Sequence, residues 1–318
     1  MKRKKIVVAG GGVLGSQIAF QSAYSGFDVV VWAHSQHSAE VAEQKLGELK
    51  KTYTDAINKM AKDKSAWCAG IADEKKFDKK TCLDNAKRAA DEIKVEMDLA
   101  TAVEGADIVI EAISELKDVK IDFYKKLAPV LDEKTIVVTN SSTLLPSTFA
   151  PFTGRPEKYL ALHFANSIWK NNTAEVMMHV GTSKESFDEI VKFAKNIRMF
   201  PLPITKEKSG YLLNSMLVPF LLSGLDLYVN GIAEPKNIDA AWTRGTGAPN
   251  GPFEIMDVVG LPTAYNIVEQ YQKVPGLLSP LLKKMMMPYN FKGMKEILGK
   301  YIAEGKTGKQ AGEGFYKY

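Results

Sequence analysis

The apolar residues of this chain change period within its first thirty positions. Ile6-Val7-Val8-Ala9 is a short β-branched run that ends at glycines. Ile18, Ala19, Ser22 and Ala23 then recur at helical spacing, so the pattern predicts strand, tight turn and helix. Gly26 closes the helix and Val29-Val30-Val31-Trp32 supplies a second strand, completing a βαβ unit. Two later β-rich runs, Ile108-Val109-Ile110 and Thr135-Ile136-Val137-Val138-Thr139, flank a helical stretch around Val119 to Leu131, for which parallel pairing is expected.

Between these runs, residues 39–93 are rich in Ala, Lys, Glu and Asp and lack strand signals. They are read as two long helices forming an antiparallel arm, broken near Cys68-Ala69-Gly70. Leu160-Ala161-Leu162 and Val176-Met177-Met178 are two further strand candidates, and from Ser209 onward the pattern is helical. Pro201, Pro203 and Lys206-Glu207-Lys208 mark the boundary. The predicted fold class is therefore α/β: a Rossmann-type doubly wound sheet over residues 1–203, with the arm at 39–93, followed by an all-helical domain over 204–318.

Composition narrows the function classes. Of 318 residues, 45% are hydrophobic and 25% charged, values that allow a large globular core. A net charge of +5 over 42 basic and 37 acidic side chains is too balanced for a nucleic-acid footprint, yet favours anionic small molecules. Cys68 and Cys82 have neither metal-ligand spacing nor the density of a disulfide framework, so no metal site is implied and a reducing cytoplasm is expected. The basic start followed by the uncharged stretch Ile6 to Phe27 imitates a signal peptide or membrane span. Gly10, Gly11, Gly12, Ser16, Gln17, Gln21 and Ser22 interrupt it, which argues against a membrane.

Gly10-x-Gly12-x-x-Gly15 lies between the first strand and its helix, where a dinucleotide turn belongs. The first glycine makes the turn and the second lets a pyrophosphate approach the backbone. Val13 and Leu14 open the helix whose free N–H groups and positive dipole end face the phosphates. The acidic residue that normally ends the second strand is absent, the chain reading Trp32-Ala33-His34-Ser35. Ala33 and His34 thus border the adenosine ribose; NAD is the expected cofactor, with NADP as the alternative because no carboxylate would repel a 2′-phosphate there.

With that turn in place, the chain resembles the L-3-hydroxyacyl-CoA dehydrogenase family over nearly its whole length. The likeness is carried by the glycine turn, Ala106-Asp107-Ile108-Val109-Ile110-Glu111-Ala112, Asn140-Ser141-Ser142, His163-Phe164-x-Asn166, Leu212-Leu213-Asn214-Ser215, Gly251-Pro252-Phe253-Glu254 and Gly312-x-Gly314-Phe315-Tyr316. The spacings from Ser142 to His163 and from His163 to Glu175 also match. The resemblance implies His163 as general base for a 3-hydroxyl proton, Glu175 orienting it, and Ser142 and Asn214 hydrogen-bonding the reacting oxygen. It further implies Glu115, Lys120 and Asn140 near the cofactor, Asn166 on the substrate side with Ser142, and Lys59 and Lys62 of the arm as countercharge for a CoA nucleotide. The chain departs from the family's His-Phe-Phe-Asn-Pro, reading His163-Phe164-Ala165-Asn166-Ser167 and then Ile168-Trp169-Lys170-Asn171-Asn172, a more polar loop.

The residue types suit the chemistry. Oxidising a secondary alcohol needs a base for the O–H proton and an acceptor for the C–H hydride, and nicotinamide leaves only the base for the protein to supply. Histidine titrates near neutrality, and a carboxylate on its other nitrogen fixes the tautomer and stabilises the imidazolium. The expected activity is reversible oxidation of a 3-hydroxyacyl-CoA. The alternatives are a dehydrogenase of a free 3-hydroxy acid, sugar acid or carnitine-like substrate, and a non-catalytic NAD-binding sensor or structural protein. The C-terminal domain is too small to bury its apolar residues alone, so a homodimer is expected; Met285, Met286 and Met287 are assigned to core or dimer packing.

Overall fold

The computed structural model describes residues 3–272 and 289–318. Met285 to Met287 lie outside them. The chain divides into two units, Met1–Tyr211 and Leu212–Tyr318. The division comes after the 203/204 boundary drawn from the sequence because residue 203 lies inside a strand.

The first unit is built on one eight-stranded sheet, ordered β3-β2-β1-β4-β5-β6-β7-β8. The strands are β1 (Lys5–Ala9), β2 (Asp28–Trp32), β3 (Lys94–Glu96), β4 (Ile108–Glu111), β5 (Ile136–Thr139), β6 (Tyr159–Phe164), β7 (Thr173–Met177) and β8 (Phe200–Ile204). Strands β3 to β6 in that spatial order pair in parallel, as the β-branched runs predict. β7 is antiparallel to β6, and β8 is parallel to β7. Pro201 and Pro203 are strand residues and not a boundary. Phe200 donates its N–H to the Asn172 carbonyl, so the alternate prolines present their missing donors to the open edge.

Helices α1 (Val13–Tyr24), α2 (Gln36–Met60), α3 (Lys79–Glu92), α4 (Leu99–Val103), α5 (Lys117–Leu127) and α6 (Lys184–Asn196) belong to this unit. The predicted arm is the pair α2 and α3. Its apolar stripe, with Leu46, Leu49, Tyr53 and Ile57, packs into the same core as α1. Tyr53 tilts against both Phe20 and Tyr24. The polar residues of α1 that interrupt the apolar run are buried; Ser16 and Ser22 bond to carbonyls at or near their own helix, while the two glutamines satisfy main-chain groups elsewhere. Gln21 donates to the carbonyls of Gly70 and Ile197, and Gln17 accepts from the N–H groups of Ser167 and Ile168. A buried amide left without partners would cost about 1–3 kcal/mol, so α1 is the peg on which the arm and the loop after β6 hang. No helix of the described residues is long and apolar enough to cross a membrane.

The second unit contains α7 (Leu213–Val229), α8 (Pro235–Thr246), α9 (Pro252–Val259), α10 (Leu261–Gln272) and a helix over Phe291–Ala303. Its core gathers Leu221, Leu222, Leu225, Phe253, Met256, Leu261 and Leu298. The helical pattern does not run to the C-terminus. Residues after 304 form a tight turn bridged at Gly308–Glu313 and Glu313–Lys317. The Asp257 carboxylate accepts from the N–H groups of Phe315 and Tyr316, tying that tail down.

The turn joining β1 to α1 has no room for a side chain. Gly10 is at φ 109°, and a Cβ on Gly15 would stand 2.0 Å from the Gly10 carbonyl oxygen. Gly15→Ala is expected to lower unfolding stability by about 1–3 kcal/mol, the usual cost of overpacking a closed site, and to weaken NADH binding. Urea unfolding and a fluorescence titration check both.

Candidate active site

The C-terminal ends of β1, β4, β5 and β6 converge on one edge of the sheet, where open α/β folds collect ligands. Two neighbouring cavities lie there. The larger, of about 700 Å³, is lined by Gly10, Gly11 and Gly12 together with Trp32, Ala33, His34, His37 and Ser38. The smaller, of about 230 Å³, is lined by Gly12, Val13, Leu14 and Gly15 with Glu115, Lys120, Asn140 and Ser142. Gly12 caps α1 without a side-chain hydrogen bond, and no acidic residue stands in the first helical turn. The free N–H groups and dipole of α1 are therefore available to an anion. An added Cβ on Gly12 would meet nothing within 4 Å, which leaves its backbone open to the cavity. Donor-rich backbone between two such cavities fits a dinucleotide, whose pyrophosphate Gly12 to Leu14 would hold, with Ala33 and His34 lining one cavity and Asn140 and Ser142 the other.

Behind the smaller cavity lies a buried cluster of charge. Glu111, the last residue of β4, is fully buried and accepts from Lys120 Nζ at 2.6 Å, Tyr124 at 2.9 Å, Thr139 at 2.7 Å and the N–H of Ile113 at 2.9 Å. Lys120 also stands 3.3 Å from Glu115. Glu115 in turn accepts from the Ser141 hydroxyl at 2.6 Å and from the main-chain N–H groups of Ser142 and Thr143. Burial acts to raise the Glu115 carboxyl, but the Ser141 hydrogen bond and the Lys120 charge outweigh it and hold the group below its ordinary value. Glu115 is thus an ionised clamp on the segment after β5.

His163 is the penultimate residue of β6, and the antiparallel register sets it directly opposite Glu175 of β7. Directly opposed residues share a face of the sheet with their Cβ atoms about 5 Å apart. Accordingly His163 Nδ1 lies 2.8 Å from Glu175 Oε2, and His163 Nε2 lies 3.2 Å from Ser142 Oγ. His163 is 6% exposed and Glu175 3%. Against the imidazole face lies the ring of Tyr211, with centroids 4.6 Å apart and planes inclined by 17°.

The structure therefore brings together His163, Glu175 and Ser142, and places Glu115, Lys120 and Asn140 beside the glycine turn. Asn140 Oδ1 accepts the Phe164 N–H at 3.2 Å, tying β5 to the end of β6. Asn214 lies in the first turn of α7, in the second unit. Lys59, in the last turn of α2, and Lys62, two residues beyond it, are exposed. Asn166 is exposed, and its carbonyl accepts the Asn171 side-chain amide. The polar loop expected on the substrate side uses much of its polarity internally. The Asn172 amide donates to the Arg198 carbonyl, Ile168 is fully buried, and Trp169 packs against Tyr53.

Three residues of consequence carry no role in the sequence reading. Glu111 is legible in hindsight as a carboxylate closing an apolar strand, and Gln17 as an amide on a helix otherwise buried. Tyr211 falls in a stretch read as helix and gives no periodic signal.

The fold and this cleft define a dinucleotide-dependent oxidoreductase with a buried histidine–carboxylate pair beside its cofactor site. The model of the 3-hydroxyacyl-CoA dehydrogenase NAD binding domain matches residues 5–208, and that of the 3-hydroxyacyl-CoA dehydrogenase C-terminal domain matches residues 210–318. The chain belongs to the 3-hydroxyacyl-CoA dehydrogenase family and is an NAD-dependent enzyme. It is 34% identical to the mitochondrial hydroxyacyl-coenzyme A dehydrogenase of Homo sapiens, over 99% of this chain and 91% of that protein. It is 30% identical to a probable 3-hydroxybutyryl-CoA dehydrogenase of Bacillus subtilis, over 100% of this chain and 98% of the relative. A solved structure of a diketoreductase, described for substrate-directed dual catalysis of dicarbonyl compounds, is 42% identical with a TM-score of 0.83 and full coverage of both chains.

Ala33 lines the larger cavity where a ribose carboxylate partner would stand. Ala33→Asp is expected to tighten NADH and weaken NADPH, shifting the ratio of their dissociation constants at least about tenfold, the worth of one charged hydrogen bond. Paired titrations with the two reduced cofactors measure it.

Proposed function

We propose that this enzyme transfers a hydride between NAD and the C3 carbon of a 3-hydroxyacyl-CoA, with His163 carrying the hydroxyl proton. The observation that carries this reading is the division of labour between the imidazole nitrogens, Nδ1 at 2.8 Å from Glu175 and Nε2 at 3.2 Å from Ser142. A carboxylate at Glu175 only accepts, so Nδ1 holds the N–H and Nε2 keeps a lone pair facing the hydroxyl of Ser142, a residue that lines the smaller cavity. In oxidation Nε2 takes the proton of the substrate hydroxyl as the C3–H bond breaks, and in reduction the imidazolium returns it to the ketone oxygen. Glu175 stabilises the imidazolium in both directions, and Ser142 hydrogen-bonds the reacting oxygen. Bound NAD supplies the hydride acceptor and NADH the donor. In this proposal Asn166 borders the acyl chain.

Lys59 and Lys62, exposed and basic at the end of α2, suit the phosphates of a CoA nucleotide. A second reading is favoured by the 42% identity to a diketoreductase, namely a small dicarbonyl substrate without the CoA handle. The two readings share their chemistry, because a 3-ketoacyl thioester is itself a dicarbonyl compound. The reducing compartment expected from the sequence accords with Cys68 and Cys82, which are both unpaired. A homodimer through the helical unit is part of the proposal. Met216, Ile232 and Val258 of that unit are each more than half exposed. Sedimentation at twice the 35.1 kDa chain mass is the expected result.

NADH oxidation with acetoacetyl-CoA, set beside free 3-keto esters, tests the proposal. Turnover of the thioester at higher kcat/KM, with a KM raised by Lys59→Ala and Lys62→Ala, is expected. Turnover of the free dicarbonyl alone moves the assignment to the second reading, and no turnover of either removes both. His163→Ala is expected to lower kcat by roughly 10²–10⁴, the range of general acid–base catalysis, with NADH affinity unchanged.

A further inference from the structure

We infer that Tyr211 is a positioning residue for His163, a flat wall that fixes the tilt of the imidazole and the gap between the imidazole and Ser142. The inference rests on His163 being the proton carrier. A hydrogen bond from Nδ1 to Glu175 and one from Ser142 to Nε2 hold the two ring nitrogens, which define an axis through the ring. Angular tolerance in such bonds is broad, so rocking of the ring about that axis is weakly resisted. A parallel aromatic face resists it through repulsion at contact, and Tyr211 presents such a face at 4.6 Å and 17°.

Tyr211 is itself held at its far end. Its hydroxyl donates to the Ser141 carbonyl at 2.7 Å, and the residue is 1% exposed. Ser141 precedes Ser142, whose hydroxyl reaches His163 Nε2, so the contacts close a ring. They pass from the Tyr211 face to the imidazole, to the Ser142 hydroxyl, through one peptide to the Ser141 carbonyl, and back to the Tyr211 hydroxyl. Burial, reinforced by the charges of Glu115 and Glu175, pushes the phenol far above its ordinary value, so it remains a donor at all working pH. The backbone at Tyr211 is in the left-handed region at φ 52°, which a bulky residue keeps only where its surroundings demand it. One imidazole face is thereby closed.

A purely structural role is the competing account, since Tyr211 also packs with Ala161, Met177 and Ile204. Two variants and one spectrum separate them. Tyr211→Leu keeps the site apolar but removes the flat face, and is expected to lower kcat roughly tenfold to hundredfold, as misplacement by about 1 Å does, with NADH affinity within about twofold. Tyr211→Phe keeps the face and is expected to recover most of that loss. In the unmodified enzyme the His163 ring C–H protons, assigned by their absence in His163→Gln, are expected to be shifted upfield by the Tyr211 ring current. This last measurement stands even where Tyr211→Leu fails to fold. Tyr211→Leu at full rate, Tyr211→Phe as impaired as Tyr211→Leu, or unshifted His163 protons would each overturn the inference. His163→Gln at full rate removes the inference together with the proton-carrier reading, whereas Tyr211→Leu at full rate beside an inactive His163→Gln removes the inference alone.

Discussion

The register between β6 and β7 is the constraint on which this site depends. Side chains alternate faces along a strand, so a slip of one residue would turn Glu175 away from His163 and put Ala174 or Val176 in its place. That slip is opposed on both sides. β6 is buried along its whole length, and Ala174, Val176 and Met177 are fully buried, so the register that satisfies the core also pairs the imidazole with its carboxylate. The reversal of direction at β7 matters as well. It brings two neighbouring strands into direct cross-strand opposition, and a buried imidazole gains a partner without either side chain reaching across a turn.

A second constraint operates one layer deeper. Lys120 is 1% exposed, and an ammonium so placed is tolerable only because Glu111 and Glu115 flank it. Removing one member of such a cluster would cost about 3–5 kcal/mol by leaving an uncompensated charge. The arrangement joins elements that the sequence keeps far apart: Glu111 ends β4, Lys120 lies in α5, Thr139 ends β5, and Glu115 grips the main chain at Ser142 and Thr143. The serine that meets His163 is thus held by backbone N–H groups on a fixed carboxylate. Rigid support of this kind is what keeps a hydrogen-bond geometry usable from one turnover to the next.

What the sequence disclosed follows from the range of the forces involved. The turn at Gly10 to Gly15 is local, and β-branched runs beside a glycine signature identify it without any knowledge of the rest of the chain. Strands β1, β4, β5 and β6 are covered on both faces and read as continuous apolar runs. β3 is three residues with charged ends, and β8 carries two prolines, so neither offers a period to detect. His163, Glu175 and Ser142 were located through their resemblance to a family pattern, because no local rule says that residues 142, 163 and 175 meet. Tyr211 lay beyond both routes, since its contact with His163 depends on a left-handed backbone angle that no apolar pattern announces.

The loop after β6 shows why composition alone misjudges a binding surface. Asn166, Asn171 and Asn172 give it a polar sequence, yet the amides of Asn171 and Asn172 bond to main-chain carbonyls within the protein. Ile168 and Trp169 meanwhile carry its apolar weight inward, where Gln17 receives the loop's N–H groups and Tyr53 meets the indole. Asn171 and Asn172 thus each spend an amide donor on the protein's own main chain, and to that extent shape the loop. The loop begins immediately after His163 and Phe164, and its rigidity is transmitted directly to the end of β6. In the proposed reaction, substrate choice then rests on what can reach His163 Nε2 beside Ser142, and less on the polarity of the residues that follow.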